Sequence, residues 1–321
     1  MATFGYFLST EEYGPEMLTE QAAIAQECGF DALQISDHFH PWNSAQGQSP
    51  FVWSMIGAIS QVCELPVTTA VVCPTMRLNP AIVAQAAATS AVLLDGKLTL
   101  GVGSGETLNE HIYGQAWPTA EVRLEMLEEA VEVIRALWSG ECISHRGRHY
   151  TLDNAQIYTL PHTPPPIYMS GFGPKATDLA ARIADGYINT SPDRDLLERY
   201  RAKAQPGARA QAGFKVAYGQ TADEGVAHAH RLWANSGLPG ELAQVLPTPS
   251  HFEQASSLVT KEMTAESVVA GPDPERHAEA FKPYLEAGFD EIYVGNMGPH
   301  YREMIRMYGE QVLPALRAKK T

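Results

Sequence analysis

Short apolar runs rich in β-branched and aromatic residues alternate along the chain with longer amphipathic segments. The runs predict eight strands, at residues 3–7, 32–36, 67–72, 98–103, 166–170, 187–190, 214–219 and 291–295. A helical pattern follows each run, and the first begins at Pro15 and ends at Gly29, a residue type that commonly terminates helices. Apolar strands alternating with helices form parallel sheets covered on both faces, so the pattern predicts an α/β fold.

The number of units favours a closed (β/α)8 TIM barrel over an open doubly wound sheet, which is the alternative. Two segments exceed ordinary loops: about 139–165, rich in His and Pro, and about 235–265, which contains Pro239, Pro247 and Pro249. Long insertions in barrels commonly form substrate walls or lids. Because no low-complexity linker or sequence repeat divides the chain, we expect one domain spanning 1–321.

Composition and charge exclude several classes of function. The chain has 321 residues and a net charge of -14, which argues against nucleic acid or an anionic membrane surface as the main partner. It contains no apolar run long enough to span a membrane. The four cysteines form no C-x-x-C pair and no secretory signal is evident, so we expect reduced thiols and a cytoplasmic protein.

Residues suited to binding or catalysis follow most of the predicted strands. In a barrel of this kind the active site lies at the carboxyl ends of the strands. The candidates at these ends are Glu11, Asp37, His38, Trp42, Cys73, Ser104, Gly105, Glu106, Asn109, Gly173, Thr190 and Asn296.

The pair His38 and His40 first suggests a metal. A metal-dependent hydrolase on this fold needs further ligands, namely histidines that end the middle strands and an acid that ends the last one. The fifth and sixth strands supply no histidine, and Asn296 follows the eighth. The sequence therefore predicts no metal site, with His40 as a loop-packing residue and His38 as a functional one.

Two glycine-containing loops are candidates for cofactor contacts. The segment GVGSGE (101–106) lacks the third glycine of a dinucleotide fingerprint, but its glycines allow a ligand to approach the backbone beside Glu106. The segment GFGPKATDLA (171–180) is a Gly-Pro turn that opens a helix. Free N–H groups at a helix N-terminus bind anions, and Lys175 adds a positive charge, so this turn fits a cofactor phosphate.

Six motifs together resemble one family. They are SDHFHPW, CPTMRLNPAIVAQ, GVGSGETLNE, WPTAEVRLEMLEEAVEVIRALWSG, GFGPKATDLAARIADGYINTS and VLPALR. They are similar to the luciferase-like barrel enzymes that use the deazaflavin coenzyme F420, in particular the group of glucose-6-phosphate and secondary alcohol dehydrogenases. The resemblance spans nearly the whole chain and is weakest between about 195 and 265.

The resemblance implies a role for specific positions. The deazaflavin head would contact Asp37, Cys73, Ser104, Gly105 and Asn109, and a non-prolyl cis peptide at Ala70-Val71 would press on one face of the ring. The cofactor phosphate would lie at Phe172, Gly173, Lys175 and Ala176. The reaction centre would consist of His38, Trp42, Glu106 and Glu11.

The chemistry of these side chains agrees with hydride transfer between a carbinol and the C5 carbon of the deazaflavin. Oxidation of a carbinol needs a base for the hydroxyl proton, and the imidazole of His38 has a suitable ordinary pKa. The indole N–H of Trp42 can support the developing carbonyl. The carboxyl group of Glu106 can protonate or stabilise the ring edge that becomes basic on reduction.

The substrate pocket departs from the sugar-phosphate enzymes. The resemblance implies two lysines and an arginine for the substrate phosphate, but the aligned positions hold Asp193, Ala243 and Glu266, and only Thr190 is retained. A phosphate pocket without cations binds poorly. We therefore expect a neutral alcohol, sugar or carbonyl compound, unless a register shift brings Arg194 or Lys261 into the pocket.

Two other functions are weighed against this one. An FMN-dependent monooxygenase on the same barrel would need a reductase partner. A non-enzymatic cofactor-binding protein would have no need for His38, Trp42 and Glu106 together. The sequence thus predicts an F420-dependent oxidoreductase, with FMN as the alternative cofactor, that acts on a small molecule as a homodimer.

Overall fold

The computed structural model describes residues 2–318 and contains a closed barrel of eight parallel strands surrounded by helices. Over these residues the strands in chain order are β1 (Thr3–Leu8), β2 (Ala32–Ile35), β3 (Val67–Thr69), β4 (Leu98–Val102), β5 (Ile143–Arg146), β6 (Thr151–Ala155), β7 (Ile167–Ser170), β8 (Gly186–Asn189), β9 (Arg209–Ala217), β10 (Val269–Ala270) and β11 (Glu291–Asn296). The barrel order is β1-β2-β3-β4-β7-β8-β9-β11, and β11 pairs with β1 to close it. The predicted (β/α)8 fold is confirmed.

Helices follow the barrel strands and pack around the barrel. They are α1 (Pro15–Glu27), α2 (Val52–Ile59), α3 (Pro80–Leu93), α4 (Thr107–Glu110), α5 (Ala120–Leu137), α6 (Pro174–Ile183), α7 (Arg194–Arg201), α8 (Ala222–Trp233), α9 (Leu242–Val245), α10 (Pro249–Ser256), α11 (Lys261–Ser267), α12 (Pro274–Glu279), α13 (Lys282–Ala287), α14 (Tyr301–Met307) and α15 (Leu313–Ala318). Among the described residues, no helix has the length and apolarity needed to span a membrane.

The sequence pattern placed the barrel strands well and missed the small ones. The third strand ends at Thr69 rather than 72, and only an isolated bridge between Val72 and Val102 continues it. The insertion at 139–165 contains the antiparallel ribbon of β5 and β6. The ribbon sequences ISHR and TLDNA are too polar to stand out as strands, and β10 is only two residues long.

Close packing between β3 and β4 depends on a glycine. A Cβ atom at Gly101 would overlap the carbonyl oxygen of Thr69 and lie 2.9 Å from Cδ1 of Ile188. The hydroxyl of Thr69 also accepts the Gly101 N–H and donates to its carbonyl oxygen, both at 2.9 Å. To accommodate a side chain at residue 101, the two strands would have to move apart and lose these hydrogen bonds.

We predict that Gly101→Ala lowers the free energy of unfolding by about 1–3 kcal/mol, the usual cost of forcing an extra methyl group into a packed core. Gly57→Ala is the matched control, because Gly57 lies within α2 and no heavy atom would contact its Cβ within 4 Å. That variant should gain about 0.5–1 kcal/mol. Urea denaturation measures both, and equal stability of Gly101→Ala and wild type would contradict the packing argument.

Candidate active site

The loops after β1 and β2 bring three of the predicted reaction-centre residues together. His38 and Trp42 lie edge to face, with ring centroids 5.0 Å apart. Nε2 of His38 lies 3.4 Å from Oε1 of Glu11. The indole N–H of Trp42 donates to no group within the part of the chain that the structure describes, so it remains available to a ligand.

Glu11 is a buried carboxylate that is held in place from both sides. Its Oε2 accepts a hydrogen bond of 2.6 Å from the hydroxyl of Ser36. Burial by itself would raise the pKa of Glu11, but Lys215, His38 and Ser36 outweigh that effect and lower the pKa below its ordinary value. Glu11 is therefore ionised near neutral pH, with its carboxylate facing Nε2 of His38.

Asn109 links Glu106 to His38. Its Oδ1 accepts the backbone N–H groups of Phe39 at 2.8 Å and His40 at 3.0 Å, which fixes the orientation of the carboxamide. Nδ2 consequently points the other way, where it donates to Oε1 of Glu106 and lies 3.0 Å from Nδ1 of His38. The four residues predicted for the reaction centre thus form one connected group, with Asn109 as the link to Glu106.

The surroundings of His38 accommodate both of its neutral tautomers. Nδ1 lies 3.2 Å from the carbonyl oxygen of His40, which accepts a proton held there. The amide of Asn109 can instead donate to the Nδ1 lone pair. Nε2 is therefore able to gain or lose a proton without stranding Nδ1, as an acid–base residue requires. His40 itself packs through Nδ1 against the carbonyl oxygen of Leu108 at 2.9 Å, in keeping with a loop-packing role.

Beneath this group, Arg77 is buried between two carboxylates. Its Nη2 lies 2.5 Å from Oδ2 of Asp37, and its backbone N–H donates to Oε2 of Glu110 at 2.7 Å. Burial raises the pKa of Asp37 although Arg77 opposes the rise, and burial raises the pKa of Glu110 to about 7. Oδ1 of Asp37 is buried with no hydrogen-bond partner among the described residues, so it is a free acceptor beside the barrel mouth.

The predicted deazaflavin-head positions surround the same mouth. The peptide bond between Ala70 and Val71 is cis, as predicted. Gly105 has a positive φ of 74°, and a Cβ there would lie 2.6 Å from Sγ of Cys73, so only glycine fits this turn. Ser104 precedes it and is partly exposed. Glycine at this turn therefore makes room for the side chains of Cys73 and Glu110.

The predicted phosphate turn lies at the N-terminus of α6. Gly173 precedes the helix, no side chain caps it, and a Cβ at Gly173 would meet no atom within 4 Å. The space beside these N–H groups, which include that of Ala176, is therefore open, and Phe172 is exposed next to it. The ammonium of Lys175 points to Glu121 at 2.6 Å instead of standing free for a phosphate.

The four predicted substrate-pocket residues are not gathered in the same way. Asp193 caps α7 by accepting the N–H of Leu196 at 2.9 Å, while Thr190 and Glu266 are exposed. Within residues 2–318, no hydrogen bond or ring contact joins any of these residues, or Ala243, to His38 or Trp42. Their role in the pocket stays a prediction.

The 235–265 insertion packs over the reaction centre. The ring of Phe252 lies edge to face with Trp42 at a centroid distance of 5.0 Å. The backbone carbonyl of Gln244, the neighbour of Ala243, accepts a hydrogen bond of 2.8 Å from the hydroxyl of Thr107. The insertion thus holds the indole and lies next to the Glu106 loop, so it forms part of the pocket wall.

Lys215 of β9 forms a buried charge cluster with Glu11 and Glu12 that the sequence motifs do not predict. Nζ of Lys215 lies 2.9 Å from the ring centroid of Trp233 and interacts electrostatically with Glu11 and Glu12. Burial is the main cause that lowers the pKa of Lys215, to about 8. Glu12 is fixed by the indole N–H of Trp233 at 2.7 Å and the backbone N–H of Gly298 at 2.5 Å. The sequence signal for this cluster was a lysine flanked by the apolar residues Phe214, Val216 and Ala217.

Comparisons with known proteins agree with this geometry. The model of the luciferase-like monooxygenase family matches residues 2–291. A protein of Microbacterium testaceum named F420-dependent glucose-6-phosphate dehydrogenase is 35% identical over 329 residues, which cover 98% of each chain. A protein of the same name from Nakamurella multipartita is 36% identical over 330 residues, covering 98% of this chain and 96% of that one.

A solved structure is similar over the same extent. An F420-dependent secondary alcohol dehydrogenase in complex with an F420-acetone adduct superimposes with a TM-score of 0.89 and 31% identity, covering 98% of this chain and 99% of that one. An F420-dependent tetrahydromethanopterin reductase from Methanopyrus kandleri, at 17% identity and a TM-score of 0.77, shares the fold.

We predict that Arg77→Met lowers the free energy of unfolding by about 3–5 kcal/mol near neutral pH, because it leaves two buried carboxylates unpaired. Their folded-state pKa values then rise further above the unfolded values of about 4. Between the unfolded and the folded pKa values, the folded state consequently binds more protons than the unfolded state. The loss of unfolding free energy in Arg77→Met therefore becomes smaller as the pH falls.

Arg146→Met is the matched control, since Arg146 pairs with Asp153 at an exposed position. The loss there should stay within about 1 kcal/mol. Denaturation at several pH values measures both variants, and a deficit of Arg77→Met that grows on acidification would contradict the assignment.

Proposed function

The chain belongs to the luciferase-like monooxygenase family, and from this premise we propose that it is a coenzyme F420-dependent oxidoreductase that interconverts an uncharged alcohol and its carbonyl compound. The family name does not fix the chemistry, because relatives 35–36% identical over nearly the whole chain are named as F420-dependent dehydrogenases. The observation that carries the proposal is the connected group of Glu11, His38, Asn109 and Glu106, with Trp42 against the imidazole.

The residues at the barrel mouth fit a deazaflavin. Asp37 supplies an unpartnered buried acceptor, and Gly173 leaves space at an uncapped helix N-terminus for a phosphate. When bound, the deazaflavin accepts or supplies a hydride at its C5 carbon. Glu106 would bind or protonate the polar edge of the ring, and Asp37 would orient it.

His38 would carry the proton chemistry at Nε2. In the oxidative direction the neutral imidazole holds its proton on Nδ1 against the carbonyl oxygen of His40, and Nε2 takes the hydroxyl proton of the substrate. The resulting imidazolium lies beside the ionised Glu11, which stabilises it. In the reductive direction the same Nε2–H donates to the carbonyl oxygen, and Trp42 supplies a second donor.

The charges around the site favour an uncharged substrate. One ammonium, on Lys215, serves both Glu11 and Glu12, and one guanidinium, on Arg77, lies between Asp37 and Glu110. No cation in this group is left over for a substrate phosphate. Arg194, a possible substitute, pairs with Glu198 at 2.8 Å on the surface of α7. A phosphorylated sugar would therefore find no free counter-ion in Lys215, Arg77 or Arg194.

The finer features of the proposal rest on the resemblance and on the site described above. Hydride transfer is the proposed redox step, and FMN is the alternative cofactor, which the names of the relatives do not favour. We also propose a cytoplasmic homodimer with one barrel domain per chain. Light scattering of the purified protein measures the oligomeric state.

We predict that 2-propanol and glucose each give a higher kcat/KM for deazaflavin reduction than glucose 6-phosphate. The losses of charge-assisted contacts, each worth about 1.5–3 kcal/mol, account for the order. Stopped-flow absorbance with the purified coenzyme measures the three substrates side by side. A highest kcat/KM with glucose 6-phosphate would reject the uncharged substrate while leaving the F420 assignment intact.

His38→Gln is the control for the chemistry. This variant should bind the coenzyme as wild type does and lose about 10²–10⁴-fold in kcat, the usual contribution of an acid–base residue. An unchanged kcat would reject His38 as that residue.

We further predict that Lys215→Met raises the pKa of Glu11 and so moves to higher pH the limb of the kcat/KM profile on which Glu11 becomes protonated. Lys215 is the strongest of the groups that oppose the effect of burial on Glu11, so its removal raises the Glu11 pKa. Lys215→Arg keeps a positive charge and should leave the limb near its wild-type position. The same limb in Lys215→Met and wild type would show that Lys215 does not control Glu11.

A further inference from the structure

Three potential metal ligands converge on the rim of the barrel, away from the reaction centre. Helix α8 presents Glu224 and His228 one turn apart, and His300 comes from the loop between β11 and α14. Nε2 of His300 lies 3.1 Å and Nε2 of His228 lies 3.7 Å from the same oxygen, Oε1 of Glu224. The three donor atoms all lie within 4.8 Å of one another.

These distances are close to those of a metal site. Ligands about 2.1 Å from a tetrahedral ion are separated from each other by about 3.4 Å. Two imidazoles and one carboxylate are the donor set that zinc and its neighbours prefer, whereas calcium and magnesium prefer oxygen alone. Within residues 2–318, this is the only group of histidine, cysteine, aspartate and glutamate side chains whose ligand atoms converge in this way.

Ordinary hydrogen bonding explains only part of the cluster. His300 and Glu224 form a hydrogen bond, but Nε2 of His228 is buried from solvent and has no hydrogen-bond partner among the described residues. A buried ring nitrogen without a partner costs free energy unless something binds it. An ion between the three side chains would satisfy it.

Neighbouring groups hold two of the ligands in place. The backbone N–H of Gln220 donates to Oε2 of Glu224 at 2.7 Å, which turns Oε1 toward the histidines. The other ring nitrogen of His300, Nδ1, lies 3.8 Å from Oε1 of Glu303. A carboxylate on the far side of a ligating imidazole is the usual second partner in metal sites.

We propose that Glu224, His228 and His300 bind one divalent transition-metal ion of the zinc class, with water as the fourth ligand. The ion would fasten α8 to the loop that follows β11. The same two elements also meet at Glu12, which accepts hydrogen bonds from Trp233 of α8 and from Gly298 of that loop. The ion is structural, because none of its ligands belongs to the reaction centre.

The experiment uses tag-free, chelator-treated protein titrated with zinc chloride in a calorimeter. One equivalent should bind and raise the melting temperature, since a ligand that binds only the folded state stabilises it. Cobalt(II) should bind at the same place and give ligand-field absorption of the tetrahedral type. The variants Glu224→Gln, His228→Asn and His300→Asn should each weaken zinc binding at least about tenfold, and Glu303→Gln by about tenfold.

The ribbon supplies the matched control. His145 lies 3.0 Å from Oε1 of Glu129, but that carboxylate also accepts three backbone N–H groups, and no third ligand from residues 2–318 converges there. His145→Asn should therefore leave zinc binding unchanged. Sub-stoichiometric binding to wild type, or equal affinity of wild type and all three ligand variants, would overturn the proposal. Circular dichroism of the metal-free variants establishes that the comparison is between folded proteins.

Discussion

The structure of the barrel mouth depends on the ion pairs that the guanidinium of Arg77 forms with Asp37 and Glu110. Arg77 comes from the loop after β3, and its two carboxylate partners are Asp37, in the loop after β2, and Glu110, in the short helix α4 of the connection after β4. Burying one such charge is costly, and burying it between two opposite charges in three separate loops fixes all three loops at once. Asp37 precedes His38, the proposed acid–base residue, and Glu110 follows Asn109, so Arg77 positions this group without belonging to it.

A second shared charge acts on the opposite side of the site. Lys215 faces two carboxylates, and its ammonium also lies over an indole ring, so it stabilises Glu11 without excess positive charge. The site thus contains ionised groups, but its cations are already paired with carboxylates and are not free to bind an anion. This balance suits a neutral carbinol, whose oxygen carries charge only while the reaction proceeds.

The sequence predicted more of the fold than of the reaction centre. Eight apolar runs predicted the barrel, because period and burial are local properties of the chain. The motif around His38 and the loop around Glu106 identified residues that meet in space. Arg77, Glu12 and Lys215 escaped notice because a single charged residue in a strand or loop has no local pattern that reveals its partner. The cluster of Glu224, His228 and His300 has no local pattern either, since His228 and His300 lie 72 residues apart.

The insertion that packs over the mouth contacts Trp42 and the residues around Glu106, and it forms no hydrogen bond with His38 or Glu106 among the described residues. Phe252 supports Trp42, and Gln244 contacts Thr107 and Arg123. His38 and Glu106, the proposed acid–base residues, are instead bound to Asn109 in the loops of the barrel. Mutations within residues 235–265 can therefore alter the pocket wall while the proton chemistry stays intact. Such a division separates the segment that would shape the substrate from the residues that would move its proton.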